Sequence, residues 1–404
     1  MVFLEEKMMH TGKIEVHSLS VSVRADGRIG RAGKAANGKT SRDMKAFIEF
    51  PKRLYRGCEQ FVPMFDIDMR ALLKKRHPFF LHSDGEFLLL RRAGEIVGRC
   101  LVTENTRYNE FHGTNFVFFD YFDIIDDQEV ADALFDYLAE WAEKRGADAI
   151  VGPMLSGGAS GAGILIEGFE HQAAMTMMRY NHPYYRKLLE KAGFVKYVDL
   201  NSFSIPPDQM VLPDRIARLA ENVLARGRFR VLRFKSKGEI RRVAEQIKGL
   251  YATTLNHHLE DYPLSPEELE QVKKDLLTVA DPDLISLLTY DGQIIGYAFG
   301  FADITPALQR NGGRLGPVAI LRLLSATKRS SKILFNGIGI LPEYQRLGGN
   351  ALLYSELARM VYDRDFKRAE LVQISEKTEL MISDAGNLGA KPFKVHRMYR
   401  KDIN

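Results

Sequence analysis

The chain has 404 residues, of which 45% are hydrophobic and 27% are charged, and its formal net charge is +5. This composition is that of an ordinary globular protein, and at about 100–200 residues per domain the length predicts two or three domains. The two cysteines are too few for a disulfide scaffold or a cysteine-based zinc site. Apolar runs stay short of the roughly 18 residues of a membrane span, and the start does not resemble a secretory signal, so we expect a cytoplasmic protein without a metal site.

The N-terminal stretch 24–45 mixes Lys and Arg with Gly and has no apolar periodicity. It predicts a flexible basic segment over residues 1–43. Within it, Gly33 to Thr40 fits the Walker A pattern, and Phe116 to Asp120 resembles a Walker B strand. A true P-loop directly follows an apolar strand, whereas a polar stretch rich in Arg and Gly precedes this one. We therefore do not expect an NTPase.

The two halves of the chain resemble each other. Three short matches recur in the same order at a spacing of about 196–198 residues. They are Lys52–Tyr55 with Lys248–Tyr251, Ala93–Gly98 with Asp291–Gly296, and Ala192–Lys196 with Leu388–Lys391. Ordered matches at nearly constant spacing indicate two copies of one folding unit.

Each copy shows the same order of predicted elements. An amphipathic helical region comes first, then a hairpin around a Gly turn, a helix, a strand, a last helix and a closing strand. These elements fall at 44–75, 86–101, 130–145 and 147–151 in the first copy and at 239–279, 284–299, 349–365 and 370–374 in the second. Hairpins followed by strand–helix connections predict a mixed-sheet α/β (α+β) fold. The domains are expected at 44–206 and 207–404, and the second has an additional segment, 305–332.

A loop in the second copy can carry chemistry. The apolar strand Ile333–Ile340 runs through Leu341–Asn350 into a helix that begins at Ala351. The first backbone N–H groups of a helix lack partners within it, and with the helix dipole they can bind a phosphate or pyrophosphate. Arg346 adds positive charge, although an ordinary strand-to-helix turn fits these residues too. The first copy instead carries acidic residues, 126–129, which would repel a pyrophosphate.

Residues 342–351 resemble the pyrophosphate-binding motif of GNAT acyltransferases. Two registers fit: Gln345-x-x-Gly348-x-Asn350, and Arg346-x-x-Gly349-x-Ala351. The loop is one residue shorter than the common form, and Asn350 replaces the usual Gly or Ala. Further landmarks resemble a bacterial double-GNAT family that includes bacterial ceramide synthases. They are Phe61–Pro63, Asn109–Gly113, Gly152–Pro153, Glu167–Phe169, Tyr180–Tyr185 and Lys394–Tyr399. The tract after Gly152–Pro153 departs from that family, because it is rich in Gly, Ala and Ser rather than Asn.

The resemblance implies two tandem GNAT-like domains, a degenerate N-terminal copy and one acyl-CoA site per chain. The expected reaction is acyl transfer from a thioester to an amine, with a long-chain, sphingoid-type amine as the favoured acceptor. The residues expected to hold acyl-CoA are Ile338, Gly339, Ile340, Gln345, Arg346, Leu347, Gly348, Gly349, Asn350 and Ala351. Exposed amides of the strand 336–340 are candidates for hydrogen bonding to the thioester oxygen.

The sequence indicates the catalytic residues and the residues that would bind the acceptor substrate less specifically than the loop. An amine must lose a proton before it attacks, and Glu376, His257, His258 and Glu260 are candidate bases. Tyr399 or Tyr354 could protonate the leaving thiolate. Substrate-binding candidates are Asn336, His182, Tyr184 and Tyr185. For the bases, the alternative is an exposed loop residue, and for the tyrosines it is a packing corner.

The segment 315–328 is apolar with basic residues around it. It predicts either a helix that lies on the inner face of a membrane or a helix packed on the core with a basic edge. Two further functions fit the whole chain: a non-catalytic acyl-CoA-binding or sensor protein, and an aminoacyl-tRNA-dependent transferase of similar double fold. The small net charge leads us to expect no nucleic acid. The oligomeric state, the acyl chain length and a carrier-protein donor stay open.

Overall fold

The computed structural model describes residues 12–19, 34–155, 161–206, 212–254 and 261–403. The described chain forms two compact units. Unit 1 takes residues up to Asp199 together with 305–320 and the stretch from His396 onwards, and unit 2 takes 200–304 and 321–395. The boundary predicted at 206/207 therefore falls at 199/200, and two later segments of the chain belong to unit 1.

The strands, in chain order, are β1 Ile14–Ser18, β2 Asp84–Arg92, β3 Glu95–Glu104, β4 Phe116–Ile124, β5 Ala149–Gly152, β6 Ile164–Glu167, β7 Val195–Ile205, β8 Phe229–Arg233, β9 Ile285–Tyr290, β10 Gln293–Ala302, β11 Lys332–Ile340, β12 Arg368–Ser375 and β13 Lys391–Asp402. The α-helices are α1 Lys34–Leu54, α2 Asp66–Leu73, α3 Thr106–His112, α4 Gln128–Glu143, α5 Tyr184–Lys191, α6 Asp214–Ala225, α7 Lys237–Arg242, α8 Ala244–Thr254, α9 Pro266–Val279, α10 Thr305–Asn311, α11 Pro317–Arg329, α12 Gly349–Asp363 and α13 Glu379–Asn387. Helix α1 begins inside the segment predicted to be flexible, and Lys34 to Thr40 are helical, which does not fit a P-loop.

The sheet of unit 1 has the strand order β1-β2-β3-β4-β5-β13. Neighbours are antiparallel except β4 and β5, which run parallel and are connected through α4. Helix α4 buries Val130, Leu134, Leu138 and Trp141, whose spacing of three or four residues places them on one face. The strand that completes this sheet comes from the end of the chain.

The sheet of unit 2 has the order β7-β12-β11-β10-β9-β8. Its single parallel pair is β11 and β12, connected through α12, and the other neighbours are antiparallel. The two sheets thus have the same sequence of connections. Their hairpins also match, because Ala93-Gly94 and Asp291-Gly292 both have positive φ at two successive residues, as a two-residue hairpin turn requires. The predicted fold class is confirmed.

The closing strands are exchanged between the copies of the repeat. Within unit 2, residues 200–205 of β7 pair with β12. Within unit 1, residues 399–402 of β13 pair with β5. The last strand of each half of the sequence therefore ends in the sheet built by the other half.

Candidate functional site

The site begins with the free edge of β11. This strand pairs with β12 only from Lys332 to Phe335, whereas it pairs with β10 up to Ile340. A register shift in β10, between Ala298 and Gly300, lies next to the point where β11 and β12 stop pairing. Residues 336–340 therefore keep one edge on which no described strand pairs, and a ligand can add hydrogen bonds there.

Two amides point to this free edge. The amide of Leu341 donates to the carbonyl of Ile295 at 2.8 Å, so it faces β10. Amides alternate between the two edges of a strand, so the amide of Gly339 also faces β10, and those of Ile338 and Ile340 face away from it. These two are the N–H groups that a thioester or its pantetheine arm can reach.

The second part of the site is the turn that follows. Pro342–Tyr344 form a short 3₁₀ turn, and Arg346 and Gly348 both have left-handed backbone, with φ of 64° and 93°. Backbone of this kind forms concave anion sites from successive N–H groups. Among the described residues, none of the amides from 346 to 350 donates to a backbone carbonyl. Gly348 is the N-cap residue of α12 and provides no side-chain cap, so the N-terminus of this helix is available to an anion.

Packing distinguishes the two motif registers. A Cβ on Gly349 would lie 2.9–3.1 Å from side-chain atoms of Leu288, Ile340 and Phe229, and Ala351 is buried as well. Asn350 is exposed between them. A Cβ on Gly348 would also lie only 2.7 Å from Val223 Cγ2, so both glycines are confined. The last position of the motif favours the register Arg346-x-x-Gly349-x-Ala351, because Ala351 is buried and Asn350 is exposed. Gln345 stabilises the turn instead, since its Nε2 donates to the carbonyl of Ile340 at 3.2 Å.

In unit 1 the corresponding helix N-terminus is already occupied. The connection from β4 to α4 is short, and the Asp127 carboxylate accepts from the amides of Glu129 at 2.9 Å and Val130 at 3.4 Å. It also pairs with the buried Arg92 guanidinium at 2.7 Å. Burial raises the pKa of Asp127, but Arg92 and the two amides outweigh it and hold that pKa below its usual range. A carboxylate of the protein thus takes the place of a phosphate.

The strand edge in unit 1 is occupied too. Ile124 precedes the turn in β4 as Ile340 does in β11, and each next residue donates to β3 or β10 in the same way. The amide of Ile124 donates to the Tyr185 hydroxyl at 3.0 Å, and the Tyr184 hydroxyl donates to the Ile124 carbonyl at 2.7 Å. Burial, and next the Asp123 charge, raise the pKa of Tyr185 well above its usual value, so its hydroxyl stays protonated. Tyr185 is fully buried. For this pair the packing alternative fits better than a role in substrate binding.

The remaining predicted residues are placed as follows. Glu376 directly follows β12 and is half-buried, and Asn336 directly follows Phe335, the last residue of β11 that pairs with β12. His182 stacks against Tyr55 and Tyr184, with ring centroids 4.8 and 5.4 Å apart. His257, His258 and Glu260 lie outside the described residues.

The two tyrosines considered as proton donors differ in their surroundings. Tyr399 lies in the unit 1 sheet, is 1% exposed, and its hydroxyl donates to Glu190 at 3.3 Å. Burial and the Glu190 charge raise its pKa, and its role as a proton donor stays a prediction. Tyr354 lies on α12, five residues after its start, and its hydroxyl donates to Asp384 of α13. Tyr354 remains a donor candidate as well.

Unit 1 also holds a pocket that sequence reasoning missed. It lies beside the second half of β4 and Pro153, and its apolar lining includes Ile48 and Met69. Arg99 pairs with Asp123 at 2.7 Å in its wall. A second such pair is Arg179 with Asp120. Charged residues within the otherwise apolar strands β3 and β4 are the signal that could have revealed it. With both carboxylates paired, the pocket is amphipathic rather than charged.

Metal sites and membrane-spanning helices are absent from the part of the chain that the structure describes. Within the described ranges, no group of three or more His, Cys, Asp or Glu side chains is arranged to hold a metal ion. No described helix is long and apolar enough to span a bilayer.

The fold is that of a tandem GNAT protein. A tandem GNAT protein from the clavulanic acid biosynthesis pathway superposes with a TM-score of 0.51, covering 97% of this chain and 99% of that one at 11% identity. At this identity the likeness shows the fold. No protein-family model matches the chain.

Two relatives match along nearly their whole length. Protein YghO of Escherichia coli (strain K12) is 26% identical over 367 residues, which cover 89% of this chain and 93% of that protein. The bacterial ceramide synthase of Caulobacter vibrioides (strain NA1000 / CB15N) is 25% identical over 383 residues, covering 90% and 96%. Together with the fold, these relatives support the double-GNAT family and an acyltransferase of the GNAT type.

Proposed function

We propose that the chain is an acyl-CoA-dependent N-acyltransferase whose single acyl-CoA site lies in unit 2. The observation that carries the proposal is the pair of open hydrogen-bonding surfaces on β11 and α12. The turn at 346–350 would hold the pyrophosphate, and the amides of Ile338 and Ile340 would hold the pantetheine arm and the thioester oxygen. In unit 1 both places are filled by Asp127 and Tyr185, which supports one site per chain.

The reaction would be attack of a neutral amine on the thioester carbon. The carbon–nitrogen bond forms, the carbon–sulfur bond breaks, and the amine proton goes to a base. Glu376 is the described candidate for that base, because it follows directly on β12, the strand that separates from β11. Tyr354 would return a proton to the departing thiolate. No enzyme nucleophile is needed, because the amine itself is the nucleophile.

The acceptor we propose is a long-chain amine of the sphingoid type. Its support is the similarity to the bacterial ceramide synthase, which extends over 90% of this chain. A peripheral contact with a lipid surface would give access to such an acceptor.

Binding is tested first, by thermal denaturation with CoA and with palmitoyl-CoA. A ligand at about 100 times its Kd stabilises the folded protein by roughly 2.7 kcal/mol, which corresponds to a Tm increase of roughly 3 °C for a chain of this length that unfolds as one unit. Pantetheine without the nucleotide is the matched control, and it should give a much smaller increase. Equal shifts with CoA and pantetheine would show that the turn does not bind pyrophosphate.

Catalysis is tested next, by release of free CoA thiol with sphinganine or a short alkylamine as acceptor. We expect release that depends on the amine and is faster with sphinganine. A Tm increase without thiol release for any amine would identify a non-catalytic acyl-CoA-binding protein.

A further inference from the structure

A stretch of the second half of the chain is uniformly basic. Between Asp303 and Glu343 there is no acidic residue, and six Lys or Arg residues occur. They are Arg310, Arg314, Arg322, Lys328, Arg329 and Lys332. Lys332 pairs with Asp303, whereas the other five lie on or beside α10 and α11.

Helix α11 exposes its apolar side chains. Val318, Ile320, Leu321 and Leu324 are 60%, 51%, 67% and 60% exposed, and Ala319 alone is buried among the residues of this helix. Leu321, Leu324 and Lys328 follow each other at intervals of three and four residues and share one face. The alternative of a helix packed on the core is therefore wrong for this segment.

The segment before the helix is firmly attached to unit 1. Gln309 donates to the carbonyls of Glu59 at 2.7 Å and Phe61 at 3.0 Å, and the Thr305 hydroxyl accepts from the amide of Met175 at 3.1 Å. The carbonyl of Gly313 accepts from the amide of Asp66 at 2.8 Å. Since its attachment is fixed, α11 is a preformed amphipathic helix, and little order has to be gained on binding.

We infer that α11 lies flat on an anionic lipid bilayer, with Leu321 and Leu324 inserted and Lys328 and Arg329 near the headgroups. Apolar burial combined with attraction to anionic headgroups is the physical basis of interfacial helices. A second copy of this chain is a poorer occupant of the same face. Across a two-fold axis it would bring two uniformly basic segments together. This inference does not depend on the acyltransferase proposal, because binding to a bilayer requires no substrate.

The test is flotation of the full chain with lipid vesicles. Vesicles of phosphatidylcholine with about one-third phosphatidylglycerol provide the anionic surface, and pure phosphatidylcholine vesicles are the control. We expect flotation with the anionic vesicles and at least tenfold less with the neutral ones. Raising the salt from about 0.1 M to about 1 M shortens the Debye length from about 10 Å to about 3 Å and should release much of the protein.

Variants locate the contact. Leu321→Ser with Leu324→Ser should lower vesicle binding at least tenfold and leave the Tm unchanged, because both side chains are exposed. Leu81→Ser with Ile67→Ser is the matched control, since these residues are 70% and 60% exposed outside the helix. Absence of flotation, or equal losses in the two double variants, would overturn the inference. It would also be overturned if the wild-type chain were a dimer that the Leu321/Leu324 variant dissociates, because α11 would then be a subunit contact.

Discussion

The hydroxyl of Tyr185 accepts a hydrogen bond from the amide of Ile124 at 3.0 Å. Ile124 occupies the place in unit 1 that Ile340 occupies in unit 2, and the amide of Ile340 faces an edge on which no described strand pairs. At this strand edge one side chain distinguishes the two copies. The first copy satisfies the amide internally, and in the second no described strand pairs at the same place.

Tyr185→Phe should destabilise unit 1 without affecting acyl-CoA binding. The substitution leaves the buried amide of Ile124 without its acceptor and removes one of the two acceptors of the Tyr55 hydroxyl, which keeps the Asp123 carboxylate at 3.0 Å. We expect a loss of roughly 1–3 kcal/mol in the free energy of unfolding, measured by urea denaturation. Tyr184→Phe should cost less, because the Ile124 carbonyl also accepts from Tyr185 at 3.3 Å. The reverse order would show that Tyr185 does not satisfy this edge.

Asp127→Ala should destabilise the protein more than Asp127→Asn. Asparagine still caps α4 but cannot neutralise Arg92, which is 1% exposed, whereas alanine does neither. Loss of the helix cap costs about 1 kcal/mol. Breaking a buried ion pair costs roughly 3–5 kcal/mol, and the cost is smaller here because Glu129 also contacts Arg92. Urea denaturation measures both variants. Neither should change the affinity for acyl-CoA, and a change would place a ligand in unit 1.

Asn350→Asp should weaken acyl-CoA binding while leaving the fold intact or slightly more stable. Residue 350 is exposed in the first turn of α12, where a carboxylate stabilises a helix but repels a pyrophosphate. We expect Kd to rise roughly tenfold, or about 1.4 kcal/mol, by isothermal titration calorimetry. Asn350→Ala is the uncharged control and should bind nearly as well as the wild type. Unchanged affinity in the aspartate variant would remove the pyrophosphate from this turn.

Lys394 should make stability depend on pH in the alkaline range. It is buried in unit 2, and burial is the largest of the effects that lower its pKa to about 8. Between pH of about 8 and the unfolded pKa of about 10.4, the unfolded chain binds more protons, so stability rises with pH. The free energy of unfolding of the wild type, minus that of Lys394→Met, should therefore rise across this range, by roughly 1 kcal/mol per pH unit. Lys391→Met, at an exposed position of the same strand, is the control, and parallel curves for wild type and Lys394→Met would contradict the prediction.

The repeat and the strand–loop–helix unit before α12 could be predicted from sequence because both depend on local spacing. The hairpin turns at Ala93 and Asp291 and the loop before α12 keep their residue types in order along the chain. The hydrogen bond from the Ile124 amide to the Tyr185 hydroxyl, which satisfies the strand edge of unit 1, could not be predicted. The two residues are distant in the sequence and come together only in the folded structure. The motif register was also undecided, since it depends on whether Asn350 or Ala351 is the buried residue, and that is a matter of packing.

The exchanged closing strands affect how this protein can be made. Unit 1 lacks the strand that pairs with β5 until residues 399–402 have been synthesised. Nascent domains usually fold one after another from the N-terminus, but here the leading one keeps an unpaired β5 edge until the second half of the repeat has been made. A chain that stopped before residue 396 would therefore damage the half that was synthesised first.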